Sequence, residues 1–508
     1  MFDSGSFGGF MSGFYFSVLA AAGGSVAFLF CLWFFQLSSY RAAEYIVLFR
    51  TGKGISLILA AFAFLCCSIY GNFAAMTASA LFFEMLSTYF LKQPKKVALK
   101  RTGRFKRLFV VGCFFIVVSA SVYPPSSLFF SFAAPAVSAV VLSPYEKIKN
   151  AGYIEKARNA YSAVPVRVCI TGSYGKTTVK NMCFTILSEI YKTFATPLSY
   201  NTPLGLALAS DGLSGDERIA VVEMGARRVG DIAELTKIVI PTVAVVTGIA
   251  PQHIKTFRTL DNVAKEKLSL LNALRDKSAF IYNADDKNLC AYLSALGIEG
   301  LGCGIGGNYV RAHREGEEWV FSYGNTEIRS VVKVLGEGSV GDMAMAVGVA
   351  AMLKVPAEKI AAGIGKIRPS PHRMEYFEKN GVTIIDDSYN CNIQGASEAC
   401  KVLRQLGKRS FVITAGIVEG GKKAGELNRK IGSMLSETAY LTVAVGVNAG
   451  SIREGYLSGK KKGEFMTALR LDDAVRTVSE RCVPGDVILF MNCLLYTSDA
   501  ADDLTRVD

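Results

Sequence analysis

The chain has 508 residues, enough for two or three domains, and 51% of them are hydrophobic while only 19% are charged. The formal net charge of +13 does not indicate a nucleic-acid partner, because much of the basic excess lies beside apolar segments, where membrane lipid is the simpler partner. Twelve cysteines without metal-site spacing indicate reduced thiols and argue against a disulfide framework.

Residues 1–150 predict a membrane region. Apolar stretches fall near 10–36, 55–71, 73–91, 108–123 and 126–143, each close to the ~20 residues that cross a bilayer. The last two are short enough to form a re-entrant pair instead. Eight Lys or Arg residues lie between Lys92 and Arg107, and the positive-inside rule puts this loop in the cytoplasm. We therefore expect about five transmembrane helices, with everything after residue 150 in the cytoplasm.

Residues 168–181 predict a phosphate-binding loop between a strand and a helix. They read Val-Cys-Ile-Thr-Gly-Ser-Tyr-Gly-Lys-Thr-Thr-Val-Lys-Asn, a form shorter than the common P-loop. The glycines allow a tight turn that aims backbone N–H groups at phosphate, the lysine adds positive charge, and a threonine hydroxyl can bind Mg²⁺. The pattern predicts binding of ATP or a close relative. The expected nucleotide contacts are Gly172, Ser173, Gly175, Lys176, Thr177 and Thr178.

Apolar strands and helical stretches alternate after this loop. Strands are predicted near 218–224, 243–249, 279–283, 383–387, 409–415, 441–446 and 486–491. Such alternation is typical of an α/β protein with parallel sheets covered by helices on both faces. A break near 368–372 predicts two domains, a central one at about 160–368 and a C-terminal one at about 369–492.

Polar residues stand at three predicted strand ends, where doubly wound folds place their sites. Glu223 ends a buried strand, and a carboxylate there is costly unless it meets a cation, which predicts a magnesium ligand beside Thr177. His253, one of three histidines, is either a ligand or a structural residue. Asp386 and Asp387 either contact a ribose or base, or cap the following helix.

Further short motifs follow the loop in order. They are Thr-Pro at 196–197, Ser-Tyr-Asn-Thr-Pro-Leu-Gly at 199–205, Glu-Met-Gly-Ala at 223–226, Ala-Pro-Gln-His at 250–253, Asn-Ala-Asp-Asp at 283–286 and Asp-Asp-Ser-Tyr-Asn-Cys-Asn at 386–392. With these motifs, residues 165–492 resemble the Mur ligase family, and most of all its D-alanyl-D-alanine-adding type. The resemblance implies a P-loop central domain followed by a Rossmann-like C-terminal domain.

The resemblance also implies a reaction and a set of roles. ATP would phosphorylate an acceptor carboxylate, and an amine would displace phosphate from the acyl phosphate to form an amide. The substrates would be a cell-wall precursor and an amino acid or dipeptide, most simply a UDP-N-acetylmuramoyl peptide and D-alanyl-D-alanine, at a bacterial inner membrane. By resemblance, Lys176 holds the γ-phosphate, and Thr177 and Glu223 bind one Mg²⁺. The resemblance also implies that His253 and a carbamylated Lys267 bind a second Mg²⁺. It further implies that the nucleotide is contacted by Arg373, Asp387 and Asn390, and that Asn201 lines the acceptor site.

Some features depart from the family pattern and leave alternatives open. Gly-Asp-Met-Ala-Met at 341–345 replaces the usual His-Asn-x-x-Asn, and the N-terminal domain that recognises the uridine nucleotide is replaced by apolar stretches. A lipid-linked acceptor and a catalytically inactive ATP-binding membrane scaffold are therefore rival interpretations. Lys265 takes the role of Lys267 if the register shifts, and a solvated lysine is the structural alternative. Residues 493–508 resemble a translated sequencing adapter, so we expect the natural C-terminal segment to differ there.

Overall fold

The structure is a computed structural model, and it describes residues 4–38, 40, 45–46, 52–69, 73–92, 101–389, 392–418, 423–460 and 463–492. Asn390 and the adapter-like segment 493–508 lie outside the described residues. The chain divides into two compact units, one within Met1–Ala151 and one within Gly152–Leu495. The predicted domain boundaries at 368 and 369 stay predictions.

The first unit is helical. Large aromatic side chains fill its interior, and glycine makes room for them where helices cross: a Cβ on Gly112 would stand 2.1 Å from the Phe28 ring. The helices are α1 (Ser4–Leu37), α2 (Gly52–Ile69), α3 (Phe73–Lys92), α4 (Gly103–Val122) and α5 (Pro124–Ala163), the last of which continues past residue 151.

Among the described residues, three helical stretches are long and apolar enough to cross a membrane: Phe14–Leu37, Gly103–Val122 and Ser126–Ala163. A shorter apolar helix covers Ile55–Cys66. These stretches coincide with four of the five predicted apolar segments. The count of five spans, and the topology that follows from it, stay predictions.

The second unit begins with a nine-stranded sheet in the order β2-β3-β1-β4-β5-β6-β7-β8-β9. Its strands are β1 (Val166–Thr171), β2 (Thr193–Ala195), β3 (Ile219–Glu223), β4 (Val243–Val246), β5 (Phe280–Asn283), β6 (Leu301–Gly304), β7 (Val310–Glu315), β8 (Glu318–Tyr323) and β9 (Thr326–Ser330). The neighbouring strands β1 to β7 are all parallel. Strands β7, β8 and β9 form an antiparallel meander that the sequence analysis did not predict. Exposed charged residues interrupt the apolar pattern of these three strands.

Helices cover both faces of this sheet. Val168 and Ile170 of β1 point into one core and Cys169 into the other, as the period of two requires. The helices are α6 (Lys176–Leu187), α7 (Pro203–Ser210), α8 (Asp231–Thr236), α9 (Ile254–Phe257), α10 (Leu260–Leu268), α11 (Lys287–Leu296), α12 (Glu337–Met352) and α13 (Ala357–Lys366), with 3₁₀ turns at Ser269–Ala273 and Lys277–Ala279.

A six-stranded sheet follows, in the order β10-β11-β15-β12-β13-β14. Only β10 pairs antiparallel, at one edge, and the other neighbours are parallel. The elements are β10 (Glu375–Lys379), β11 (Val382–Asp387), α14 (Ile393–Leu406), β12 (Ser410–Thr414), α15 (Ala424–Ser436), β13 (Leu441–Val445), α16 (Ala449–Ser458), β14 (Glu464–Ala468), α17 (Leu471–Ser479) and β15 (Val487–Met491). The predicted α/β class with two sheet domains after a helical region is confirmed.

Candidate active site

The phosphate loop connects β1 to α6 at the carboxyl edge of the nine-stranded sheet. Gly175 precedes α6 with φ 76°, a left-handed conformation that favours glycine. A Cβ on Gly172 would stand 2.0 Å from Thr247 Oγ1, so this position has no space for a side chain. The buried Ser173 fastens the loop to the segment after β4: its N–H donates to the Gly248 carbonyl (2.9 Å) and its hydroxyl to the Ala250 carbonyl (3.1 Å).

The Lys176 side chain curls back over this loop. Its ammonium donates to the Gly172 carbonyl at 2.8 Å. Loss of solvent around the ammonium lowers the pKa of Lys176, the nearby Glu223 opposes that shift, and Arg373 adds to it. Thr178, the next predicted contact, is half-buried in the first turn of α6. The loop therefore brings a lysine and the N-terminus of a helix together, which suits it to bind phosphate.

Glu223 is a buried acid that ends β3 beside the phosphate loop. Its Oε2 accepts a hydrogen bond from Thr177 Oγ1 at 2.7 Å, and its Oε1 accepts one from Asn201 Nδ2 at 2.9 Å. Lys180 Nζ lies 3.8 Å from Oε2. Burial alone would raise the pKa of Glu223, but the charges of Lys180 and Lys176 and these two hydrogen bonds hold that pKa below its ordinary value.

The Thr177 hydroxyl and the Glu223 carboxylate are hard oxygen donors of the type that Mg²⁺ takes. Mg²⁺ usually combines one or two carboxylates with substrate phosphates and water rather than an all-protein cage. Within the described ranges there is no group of three or more His, Cys, Asp or Glu placed to hold a metal ion. The residues present therefore fit a magnesium ion whose remaining ligands come from a bound nucleotide and water.

Lys267 and His253 were the residues predicted for a second metal. Lys267, on α10, is 1% exposed and its Nζ donates to the Ala226 carbonyl at 3.3 Å. Burial lowers its pKa to about 7, helped by Lys176 and opposed by Glu266, Asp231 and Glu223. His253 is half-buried with φ 49° and immediately precedes the four-residue helix α9. The alternative lysine, Lys265, is solvent-exposed and pairs with Asp261 at 2.8 Å.

The C-terminal domain contributes residues that follow β11. The Arg373 guanidinium stacks over the Tyr389 ring at 4.3 Å, and Tyr389 Oη lies 3.0 Å from Ser199 Oγ of the central domain. Burial raises the pKa of Asp387 to about 7, while Arg373 and the Met374 N–H oppose that rise. The structure thus brings Arg373 and Asp387 together, and the charge of Arg373 also reaches Lys176.

Two further residues lie at the site without having been predicted. Lys180, on α6, contacts Glu223 as described. Asp342 is a buried acid on α12, and a Cβ on Gly175 would stand 2.7 Å from its Oδ1. Burial raises the pKa of Asp342 well above its ordinary value, and Arg373 opposes this. The sequence could have predicted Lys180, because it lies one helical turn after Thr177 and so on the same face of the helix. No pattern in the sequence indicates that Asp342 lies close to Gly175.

Two family matches cover most of the second unit. Residues 170–350 match the Mur ligase middle domain, and residues 372–492 match the Mur ligase glutamate ligase domain. The chain belongs to the Mur ligase family. Mur ligases are ATP-dependent, ADP-forming enzymes that use Mg²⁺, so the predicted enzyme class and cofactors are confirmed at the level of this family. Carbamylation of Lys267 stays a prediction.

Curated relatives carry the name UDP-N-acetylmuramoyl-tripeptide–D-alanyl-D-alanine ligase. The Bacillus subtilis protein is 27% identical over 330 residues, which are 63% of this chain and 71% of that protein. The Escherichia coli protein is 24% identical over 315 residues, or 60% of this chain and 67% of its own. The predicted likeness to this type of Mur ligase is therefore confirmed.

Solved structures show the same fold. MurF from Acinetobacter baumannii aligns with a TM-score of 0.60 and 26% identity, covering 68% of this chain and 78% of its own. MurF from Thermotoga maritima, solved in complex with ADP, aligns with a TM-score of 0.61 and 22% identity over 70% and 83% of the two chains. The second likeness concerns the fold alone.

Proposed function

We propose that this protein is an ATP-dependent ligase of peptidoglycan precursor synthesis that joins D-alanyl-D-alanine to a UDP-N-acetylmuramoyl peptide. The observation that carries the proposal is the contact of Thr177 and Asn201 with the two oxygens of Glu223. This contact links the phosphate loop, an acid of the kind that binds magnesium, and Asn201, the residue assigned to the acceptor site, in one hydrogen-bonded group. The names of the relatives supply the two substrates.

In the proposed reaction the loop N–H groups and Lys176 hold the γ-phosphate of ATP. An acceptor carboxylate oxygen bonds to that phosphorus, and ADP leaves. The amine of the second substrate then attacks the carbonyl carbon, loses a proton, and phosphate leaves as the amide forms. Mg²⁺, held by Thr177 and Glu223, would offset the charge on the phosphates. Lys267 would support a second ion as a carbamate, and the buried neutral form that a pKa near 7 allows supports this role.

The C-terminal domain would complete the nucleotide site. The charge of Arg373 reaches both Lys176 of the phosphate loop and Asp387 of this domain, and the Ser199–Tyr389 contact joins the domain to the chain around Asn201. With these residues in place, water would be excluded from the acyl phosphate, which would otherwise hydrolyse. Asn390 is assigned to the nucleotide by resemblance only.

We further place the ligase domains on the cytoplasmic face of a bacterial inner membrane. Three apolar helical stretches of sufficient length support membrane attachment, and the basic residues between Lys92 and Arg107 support the orientation. These helices directly precede the ligase domains, an arrangement that favours one alternative: a lipid-linked acceptor that is met at the membrane surface.

The test is phosphate release by the full-length protein in detergent, with mass spectrometry of the product. UDP-N-acetylmuramoyl-tripeptide plus D-alanyl-D-alanine is compared with the corresponding lipid-linked precursor, and Lys176→Ala serves as the inactive control. Turnover of the soluble nucleotide supports the proposal, and turnover of the lipid-linked acceptor alone supports the alternative. Binding of ADP without turnover of either would overturn both and leave an inactive scaffold.

A further inference from the structure

Lys180 is a buried lysine in the second turn of α6, with 1% of its surface exposed. Its ammonium donates a hydrogen bond to the Leu198 carbonyl and lies 3.8 Å from Glu223 Oε2. Burying an ammonium is costly unless it is paired and hydrogen-bonded, and here it has one partner of each kind. Lys180 thus links Glu223 to the loop at Leu198, which lies 18 residues after Lys180 in the chain.

Leu198 has a backbone conformation that needs external support. Its φ is 47°, in the left-handed region that a leucine seldom adopts, and the residue is 75% exposed. Packing of the Leu198 side chain therefore contributes little to holding this conformation. The hydrogen bond from Lys180 holds the carbonyl of this residue directly and so fixes the direction in which the chain leaves it.

The residues that follow Leu198 reach three parts of the site. Ser199 Oγ lies 3.0 Å from Tyr389 Oη of the C-terminal domain. Asn201 Nδ2 donates to Glu223 Oε1 at 2.9 Å, and the Asn201 carbonyl accepts from the Gly225 N–H at 3.0 Å. A change of φ at Leu198 would swing both residues away from these partners. We call residues 198–201 the acceptor segment.

We propose that Lys180 is a positioning residue that holds the acceptor segment in register with the phosphate loop, so that the acceptor carboxylate meets the γ-phosphate. The identity of the acceptor in this statement rests on the proposed function. Within the described residues, the Lys180 ammonium contacts the Leu198 carbonyl and Glu223, and it acts through these two residues.

A lysine that only neutralised Glu223 would have a different effect. Its loss would disturb Mg²⁺ and nucleotide binding and leave the acceptor segment unchanged. The two roles therefore separate in the Michaelis constants for acceptor and for ATP. They also separate in the response to a glycine at position 198, which adopts a positive φ without strain and so needs no lysine to hold it.

The variants are Lys180→Met, which keeps the length of the side chain without its charge, and Lys180→Met combined with Leu198→Gly. Lys192→Met is the matched control, because Lys192 is half-exposed and pairs with Asp216 away from the site. We expect Lys180→Met to raise the KM for the acceptor about tenfold or more, while the KM for ATP changes about threefold or less. Adding Leu198→Gly should recover a large part of the acceptor KM. Lys192→Met should match the parent protein.

Hydrogen exchange supplies a readout that needs no substrate. In Lys180→Met the peptide spanning residues 194–206 should exchange faster, while the peptide containing the phosphate loop should keep its parent rate. Equal rises in both KM values, no recovery by Leu198→Gly, or unchanged exchange in 194–206 would each overturn the positioning role. If the parent protein turns over no muramoyl peptide, the proposed function fails, and the exchange result still decides the role of Lys180.

Discussion

Thr177 Oγ1 donates a 2.7 Å hydrogen bond to Glu223 Oε2, although the two residues are 46 positions apart in the chain. They meet because β1 and β3 are parallel neighbours, with Ile170 opposite Glu223, so that the loop after one strand begins beside the last residue of the other. The phosphate loop and the acid thus share one edge of the sheet, where open α/β folds bind their ligands.

The first prediction concerns the charge of Glu223. Glu223→Gln keeps an oxygen that can accept from Thr177 but removes the carboxylate that Lys180 and Lys176 stabilise. We expect a fall in turnover of about a hundredfold or more and weaker Mg²⁺ dependence, measured as phosphate release over a magnesium titration. Glu234→Gln, at an exposed position of α8, is the control. Near-parental turnover of Glu223→Gln would remove Glu223 from the metal site.

The second prediction concerns Gly175. A Cβ there would stand 2.7 Å from Asp342 Oδ1, at a φ of 76°. We expect Gly175→Ala to weaken ADP binding about tenfold or more, measured by titration calorimetry. The variant should also lower the free energy of unfolding by roughly 1–3 kcal/mol, measured by scanning calorimetry. Gly215→Ala is the matched control, because Gly215 has φ 95° with open space around it. If both variants bind ADP alike, steric contact at the loop is not what requires glycine.

The third prediction concerns Lys267. With a pKa near 7 its amine is largely neutral above about pH 7, and only the neutral amine can add carbon dioxide. We expect a carbamate signal by ¹³C NMR in labelled bicarbonate, rising between about pH 6 and 8. The signal should vanish in Lys267→Ala and persist in Lys265→Ala, whose lysine is exposed on the same helix. A signal that survives in Lys267→Ala would assign the carbamate elsewhere.

The fourth prediction concerns Asp387 and pH. Its pKa of about 7 in the folded protein exceeds the ordinary value of 3.8, so the folded state holds a proton that the unfolded chain has released. The contribution of Asp387 to the free energy of unfolding is therefore fully present below about pH 4 and is lost as pH rises towards 7. The asparagine of Asp387→Asn stays neutral at every pH. The Tm of this variant relative to the parent protein should therefore rise by a few degrees between about pH 4 and 8, measured by calorimetry without nucleotide. A difference independent of pH would contradict the raised pKa.

The fifth prediction concerns the contact between Ser199 and Tyr389. Tyr389→Phe removes only the hydroxyl and leaves the ring beneath Arg373, while Ser199→Ala removes the partner. A double-mutant cycle on the KM of the acceptor should give a coupling energy of roughly 0.5–1.5 kcal/mol, with ADP affinity unchanged. Additive effects would show that the two hydroxyls do not act together during turnover.

Much of the site could be predicted because strand-end loops carry their chemistry in short runs of sequence. The Gly172–Thr177 loop and Glu223 both stand where a buried strand ends, and the structure joins them. The meander β7 to β9 was not predicted, since exposed charged residues leave its strands without a long continuous apolar run. Ser173 was predicted to contact the nucleotide, but its side-chain and main-chain bonds to residues 248–250 depend on the pairing of β1 with β4.

The sequence by itself determined the α/β class, the phosphate loop, the family and the acid beside the loop, because each depends on local periodicity or on a contiguous motif. Tertiary structure decided which of Lys265 and Lys267 is buried, that Asp342 lies against Gly175, and that Lys180 holds Leu198. Burial and long-range contacts depend on how sheets and helices pack, and no local sequence pattern shows which distant residues come into contact. The same packing sets the pKa values of Lys267 and Asp387, because it decides how much water each loses and which charges lie nearby.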